Sequence, residues 1–157
     1  MSELRIGLGV DAHAFADGVP LVLGGIRFDH PRGLAGHSDG DVVTHALIDA
    51  VLGAAGLGDI GTLFPSDAST PAGIDSVELL RGAVEWVRGA GYRLVNADCV
   101  LIGQEPRLAD RRDELQTRLS EAAGGPVSVR ATTTDRLGFT GRGEGLAAHA
   151  ICLLERT

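Results

Sequence analysis

Apolar residues dominate the opening of the chain, and residues 4–15 read as a buried β-strand. Inside that run the stretch GVDAHAF (9–15) sets an acid and an imidazole two positions apart. Strand side chains alternate faces, so Asp11 and His13 project to the same side. Two polar groups aimed together from an apolar run cost free energy unless a hydrogen bond, water at an exposed edge or a metal compensates them. The ADG at 16–18 reads as a turn, and VPLVLGGIRF (19–28) as a second strand in a hairpin with the first. Gly, Pro, Asp and Ser mark 29–40 as loop. A helical period then takes over. Val42, Val43, Ala46, Leu47, Ala50 and Val51 form the apolar stripe of a helix over 41–55, with Ser38 or Asp39 as its N-cap. Further helices are predicted at 75–88 and 108–124, and strands at 92–103, 126–134 and 145–156. Strands outnumber helices and mostly come in adjacent pairs. The fold class is therefore α+β: a single domain over 1–157 with helices packed on one face of a mixed β-sheet.

Composition narrows the class. A chain of 157 residues, 44% of them hydrophobic, suits one domain with a genuine core. No apolar run approaches membrane-spanning length, and MSELRIGLGVD is too short and too acidic for a signal or transit peptide. Cys99 and Cys152 sit inside apolar strand-like runs and read as buried thiols, which makes the cytoplasm the expected setting. The net charge of −7 argues against a nucleic-acid partner. All 14 basic residues are Arg, so neither Schiff-base chemistry nor a P-loop lysine is open to this chain. Phosphate would have to be held by arginine, backbone N–H groups, hydroxyls or metal.

Three regions carry candidate chemistry. On the helix at 41–55, His45 and Asp49 lie one turn apart on the flank of the apolar stripe. Such a pair is ordinarily surface decoration, but it also suits a metal ligand with a carboxylate nearby. Joined to Asp11 and His13, His45 completes an oxygen-plus-two-nitrogen set, the ligand class of catalytic zinc with a fourth position open. The loop GHSDGDV reads first as a capping box, Ser38 capping and Asp41 answering three residues on. Its place at a helix N-terminus also lets His37 and Ser38 meet a phosphate. Last, VRATTTDRLGFTGRGEG supplies three threonine hydroxyls, Asp135, and the nearby Arg130 and Arg136. That set is either β-propensity plus a turn or a polyphosphate cradle with room for Mg²⁺.

GVDAHAF, GHSDGDVVTHALIDAVLGAAGLGDIGTLFP and ATTTDRLGFTGRGEG, in this order, closely resemble the 2-C-methyl-D-erythritol 2,4-cyclodiphosphate synthase family of the non-mevalonate isoprenoid pathway. The match runs from about Arg5 to the last strand. The resemblance implies a homotrimer with three active sites, each between neighbouring subunits. It implies conversion of 4-diphosphocytidyl-2-C-methyl-D-erythritol 2-phosphate into the cyclic diphosphate, with release of CMP. It places Zn²⁺ on Asp11, His13 and His45, and a second divalent ion, Mg²⁺ or Mn²⁺, on Asp135 at a diphosphate-bridged site. His37 and Thr133 are the catalytic side chains it implies.

The substrate contacts follow the same likeness. Asp11, Ala12 and His13 line the substrate beside the metal, and His37 and Ser38 meet the phosphorylated erythritol end, with Asp59, Ile60 and Gly61 close by. Phe64, Pro65, Ser66, Asp67 and Ala68 match the loop over the erythritol portion. Gly103, Gln104, Glu105, Pro106, Arg107 and Leu108 match the cytosine pocket. Ala131, Thr132, Thr133, Thr134 and Asp135 would hold the CDP phosphates. Phe139 and Arg142 match positions near the trimer axis, where an isoprenoid diphosphate would sit. The chain departs from the family pattern at three places: Asp135 where Glu is common, Arg107 where Lys is common, and FPSDA for FPDTD. Two rival readings stay open: a metal-dependent phosphohydrolase using metal-bound water on a nucleotide-linked substrate, and a diphosphate-binding trimer without activity.

Overall fold

In the computed structural model, which describes residues 2–157, the opening strand β1 (Leu4–Asp17) turns its odd positions from Gly7 to Phe15 inward and its even positions outward. Two short strands follow, β2 (Leu21–Leu23) and β3 (Ile26–Phe28), then an edge strand β4 (Arg32–Leu34). Helix α1 (Val42–Ala55) comes next, with a single turn α2 (Ile60–Leu63) and helix α3 (Ser76–Gly89) behind it. Strand β5 (Tyr92–Ile102), helix α4 (Arg112–Ala123), strand β6 (Val127–Thr132), a single turn α5 (Gly138–Gly141) and strand β7 (Gly145–Arg156) complete the chain.

The five-stranded sheet has the order β4-β1-β7-β5-β6. Only β5 and β6 run parallel, with α4 as the crossover between them, so the sheet is mixed. Helix α1 packs on β1 and β7, α3 on β5, and α4 on β6. The core lies between these helices and the sheet, from Leu47 and Leu80 through Leu101 and Leu119 to Leu154. Among the described residues, no layer covers the opposite face. Ile6, Leu8, Val10 and Ile151 stand there at 73%, 64%, 52% and 49% exposure.

The structure bears out the α+β class and corrects several details. Residues 19–28 do not pair with β1. They fold on themselves as the β2–β3 hairpin, because Gly24 and Gly25 both take positive φ and reverse the chain. The partner of β1 on that side is β4, formed by residues 32–34 of the expected loop. The N-cap of α1 is Asp41, not Ser38 or Asp39. Its carboxylate accepts from Thr44 N and Thr44 Oγ1, and equally from Gly24 N and Gly25 N at 2.9 and 2.7 Å. One fully buried acid thus ties the hairpin turn to the helix start. Helix α4 begins at Arg112 rather than 108, since Leu108 is buried in the core and the chain there turns through a bond from Arg111 N to Leu108 O. The run at 4–15 is a strand buried on one face only.

Candidate active site

Helix α1 comes unusually close to β1, and two glycines permit it. A Cβ on Gly9 would lie 1.8 Å from the backbone oxygen of Ala46, and one on Gly7 would lie 1.9 Å from that of Ala50. Two residues of strand advance about 6.6 Å and four of helix about 6 Å, so strand and helix stay in step. One step further along β1, the same face carries Asp11 and then His13. The adjoining turn of α1 carries His45.

The three side chains meet. His13 Nε2 lies 2.8 Å from Asp11 Oδ2, His45 Nδ1 lies 3.2 Å from the same oxygen, and the two ring nitrogens are 3.2 Å apart. Donor atoms about 2.0–2.1 Å from a tetrahedral zinc ion stand roughly 3.3 Å from one another, so the spacing fits a single cation. These are the donors of the one group of three metal-ligating side chains found among the described residues. Burial pushes the Asp11 carboxyl up, but the neighbouring imidazoles, His13 ahead of His45, outweigh it and bring it down to about 2. The bond to Asp11 likewise raises His13 above the ordinary imidazole range, against burial. The lowered Asp11 pKa keeps the carboxylate ionised, the state a cation requires, and a cation bound there would displace the proton that the raised His13 holds.

Around this centre the neighbouring loops are fixed by bonds the sequence does not announce. Ser38 Oγ lies 2.9 Å and Ser76 Oγ 2.8 Å from His45 Nε2. Ser76 was invisible to pattern reading: it opens α3, 31 residues from His45, and reads only as the start of a helix. His37 Nε2–H donates to the Thr70 carbonyl at 2.6 Å, and Gly73 N donates back to the His37 carbonyl, so this histidine pins the 64–74 loop against the 37–39 turn. Asp49 Oδ1 accepts from Ile60 N at 2.8 Å and anchors α2, where Asp59 is the N-cap. Within 64–68, Phe64 packs toward the core beside Gly82, Asp67 accepts from Ser69, and Ser66 and Ala68 are exposed.

The second group gathers at the far ends of β5 and β6. Gly103 N donates to Thr132 O at 3.0 Å, which joins the 103–108 segment to the threonine run. Thr134 Oγ1 donates to Leu137 O and meets Thr140 Oγ1, while Thr133 Oγ1 lies within 3.4 Å of the Asp135 carboxylate. Asp135 and Arg136 both take positive φ, a conformation non-glycine residues rarely adopt. Beside them opens a cleft of about 420 Å³ lined by Arg32, Arg136 and Arg142 with His30, Gln104 and Glu105. Arg130 is not part of it. Its guanidinium is held by Asp98 at 2.8 Å across the two strands. Leu108 is likewise buried in the core, so only its backbone can face a ligand. Phe139 is 42% exposed, and Arg142 pairs with Glu144. Among the described residues, no side-chain hydrogen bond connects this group to the Asp11–His13–His45 centre.

Fold and site together define a single-domain α+β protein with a three-donor candidate metal centre at one helix–strand contact. Comparison with known proteins makes the class specific. The YgbB family model matches residues 4–155. The 2-C-methyl-D-erythritol 2,4-cyclodiphosphate synthase of Rubrobacter xylanophilus is 54% identical over 99% of this chain and 98% of its own. Among solved structures, the bifunctional IspDF of Campylobacter jejuni superposes with a TM-score of 0.95 at 40% identity. It covers all of this chain, which spans only 43% of that longer one. The Plasmodium falciparum IspF–CDP complex superposes with a TM-score of 0.85 at 30% identity, over 100% of this chain and 99% of its own. The chain belongs to the YgbB family, that of the 2-C-methyl-D-erythritol 2,4-cyclodiphosphate synthases, and is an enzyme of that family. Among the described residues, no helix is long and apolar enough to cross a membrane.

Proposed function

We propose that this enzyme is the phosphorus–oxygen lyase of isoprenoid biosynthesis that closes 4-diphosphocytidyl-2-C-methyl-D-erythritol 2-phosphate into 2-C-methyl-D-erythritol 2,4-cyclodiphosphate. In that reaction a 2-phosphate oxygen bonds to the β-phosphorus, the bond from that phosphorus to the bridging oxygen breaks, and CMP leaves with the electron pair. The observation that carries the reading is the meeting of Asp11, His13 and His45 at one point in a chain whose relatives bear this name and include a CDP complex. Zn²⁺ on these three residues would supply Lewis-acid polarisation of the β-phosphate. Asp135, beside the threonine run, would hold the second ion, Mg²⁺ or Mn²⁺, together with the substrate's diphosphate.

The residues of the chain do the rest by holding. The substrate carries two anionic ends that repel, and folding it into the attacking geometry can remove roughly 7–11 kcal/mol of barrier at best. In this reading His37 and Ser38 seat the phosphorylated erythritol end, with Asp59, Ile60 and Gly61 behind it. Residues 64–68 close over the sugar. Gly103, Gln104, Glu105, Pro106 and Arg107 receive cytosine, and Ala131, Thr132, Thr133 and Thr134 bind the CDP phosphates. Thr133 donates a hydrogen bond to charge building on the transferring group. No side-chain nucleophile is required. The open apolar sheet face supports a homotrimer with sites shared between subunits. The cytoplasm is the setting this chemistry suits.

Incubating the purified enzyme with the cytidyl substrate, Zn²⁺ and Mg²⁺ while following phosphorus NMR tests the assignment. Cyclic diphosphate and CMP should appear together. Release of inorganic phosphate would instead make the protein a phosphohydrolase.

A further inference from the structure

We propose that Asp39 and Ser76 are positioning residues that act through His45, keeping its Nε2 protonated so that the lone pair of Nδ1 points at Asp11 and His13. The proposal rests on the metal reading above and concerns residues that this reading does not use. Proton counting carries it. The Ser76 hydroxyl has one proton, and it donates that proton to Asp39 Oδ1. The Asp39 carboxylate is itself pinned from both sides, accepting from Ser76 N at 3.0 Å and Asp41 N at 3.1 Å. Having given its proton away, Ser76 offers only lone pairs to His45 Nε2, 2.8 Å distant, so the imidazole must be the donor there. Ser38 Oγ, 3.3 Å from Ser76 Oγ, takes the other lone pair and accepts from the same imidazole edge. Every donor is then matched.

A neutral imidazole protonated at Nε2 carries its lone pair on Nδ1. That atom lies 3.2 Å from both Asp11 Oδ2 and His13 Nε2. A helix-capping role explains the bond from Ser76 N to Asp39, but not a hydroxyl placed between a carboxylate and an imidazole. Ser76 has no solvent exposure, so water cannot readily replace the hydroxyl. Partners of this kind fix a ligand's tautomer and orientation and set metal affinity.

The test uses the full-length chain. Zinc is titrated into the metal-free wild type, Ser76→Ala and Asp39→Asn, melting temperatures are recorded without metal, and the His45 ring nitrogens are observed by ¹⁵N NMR. In the metal-free wild type the proton should sit on Nε2. Ser76→Ala should lose about 10- to 100-fold in zinc affinity, and Asp39→Asn should lose affinity in the same direction. In the alanine variant the ring proton should shift toward Nδ1, a change that simple loosening of the helix start would not produce. Wild-type His45 carrying its proton on Nδ1 would overturn the proposal even if neither variant folds. So would a folded Ser76→Ala protein that binds zinc as tightly as wild type. Wild type taking up no zinc would remove the metal reading first, before any variant is compared.

Discussion

Four donors converge on the two carboxylate oxygens of Asp41, and no water reaches it. Burial and the nearby Asp39 charge push its pKa up, while the bonds from Thr44 and Gly25 pull it down. Replacing it with Asn relieves the charge but turns an NH₂ toward donors that need an acceptor. Asp41→Asn should therefore destabilise by about 2–4 kcal/mol, read from urea unfolding. The cysteines give a second check at this scale. Burial pushes Cys99 up to about 12 and Cys152 to about 11, and both are free and buried. At pH 8 neither should react with a thiol reagent in the native protein, and both should react once denaturant is added. Fast native labelling would show a core more open than described. The sequence made Asp11, His13 and His45 legible because periods of two and 3.6 residues place side chains on faces without further information. It left Ser76 and Thr70 illegible, because their partners lie more than thirty residues away and each bond depends on how loops close.

Between elements, the decisive contact is the one that puts α1 on β1. A methyl group on Gly9 would stand 1.8 Å from the Ala46 carbonyl oxygen, and an ordinary contact needs about 3.5 Å, so the helix would have to retreat by roughly 1.5 Å. Gly9→Ala should cost about 3 kcal/mol or more. Any folded remainder should bind zinc weakly, since His45 rides on the helix that has moved. Gly53, on the exposed side of the same helix, meets nothing within 4 Å, so Gly53→Ala should stabilise by about 0.5–1 kcal/mol. Opposite signs for the two glycines, measured by thermal melting, separate close approach from intrinsic helix preference. The long elements were legible for the reason given by their periods. The short ones were not: β4 is a three-residue edge strand inside a Pro- and Gly-rich run, and α2 and α5 are single turns stabilised by local bonds. The β2–β3 hairpin was misread because two apolar runs joined by Gly24-Gly25 look like one strand until the turn is given its own weight.

For the molecule as a whole, the outward face of β1 and β7 is the feature a lone chain does not explain. Leu8 and Ile151 are register partners, and with Ile6 and Val10 they form an apolar strip through the middle of the sheet. Reading 4–15 as a buried strand and finding it buried on one face are reconciled if a second copy covers the other face. Soluble monomers rarely leave such a strip bare. The homotrimer proposed above would bury it. Leu8 lies on the face away from α1, so changing it leaves the metal donors in place. Leu8→Asp should convert a species three times the chain mass into a monomer by sedimentation. Its zinc uptake should be retained and its cyclisation lost, because a shared site needs both halves. If Leu8→Asp sediments as a monomer yet turns over substrate at the wild-type rate, the site lies within one chain and assembly does not complete it.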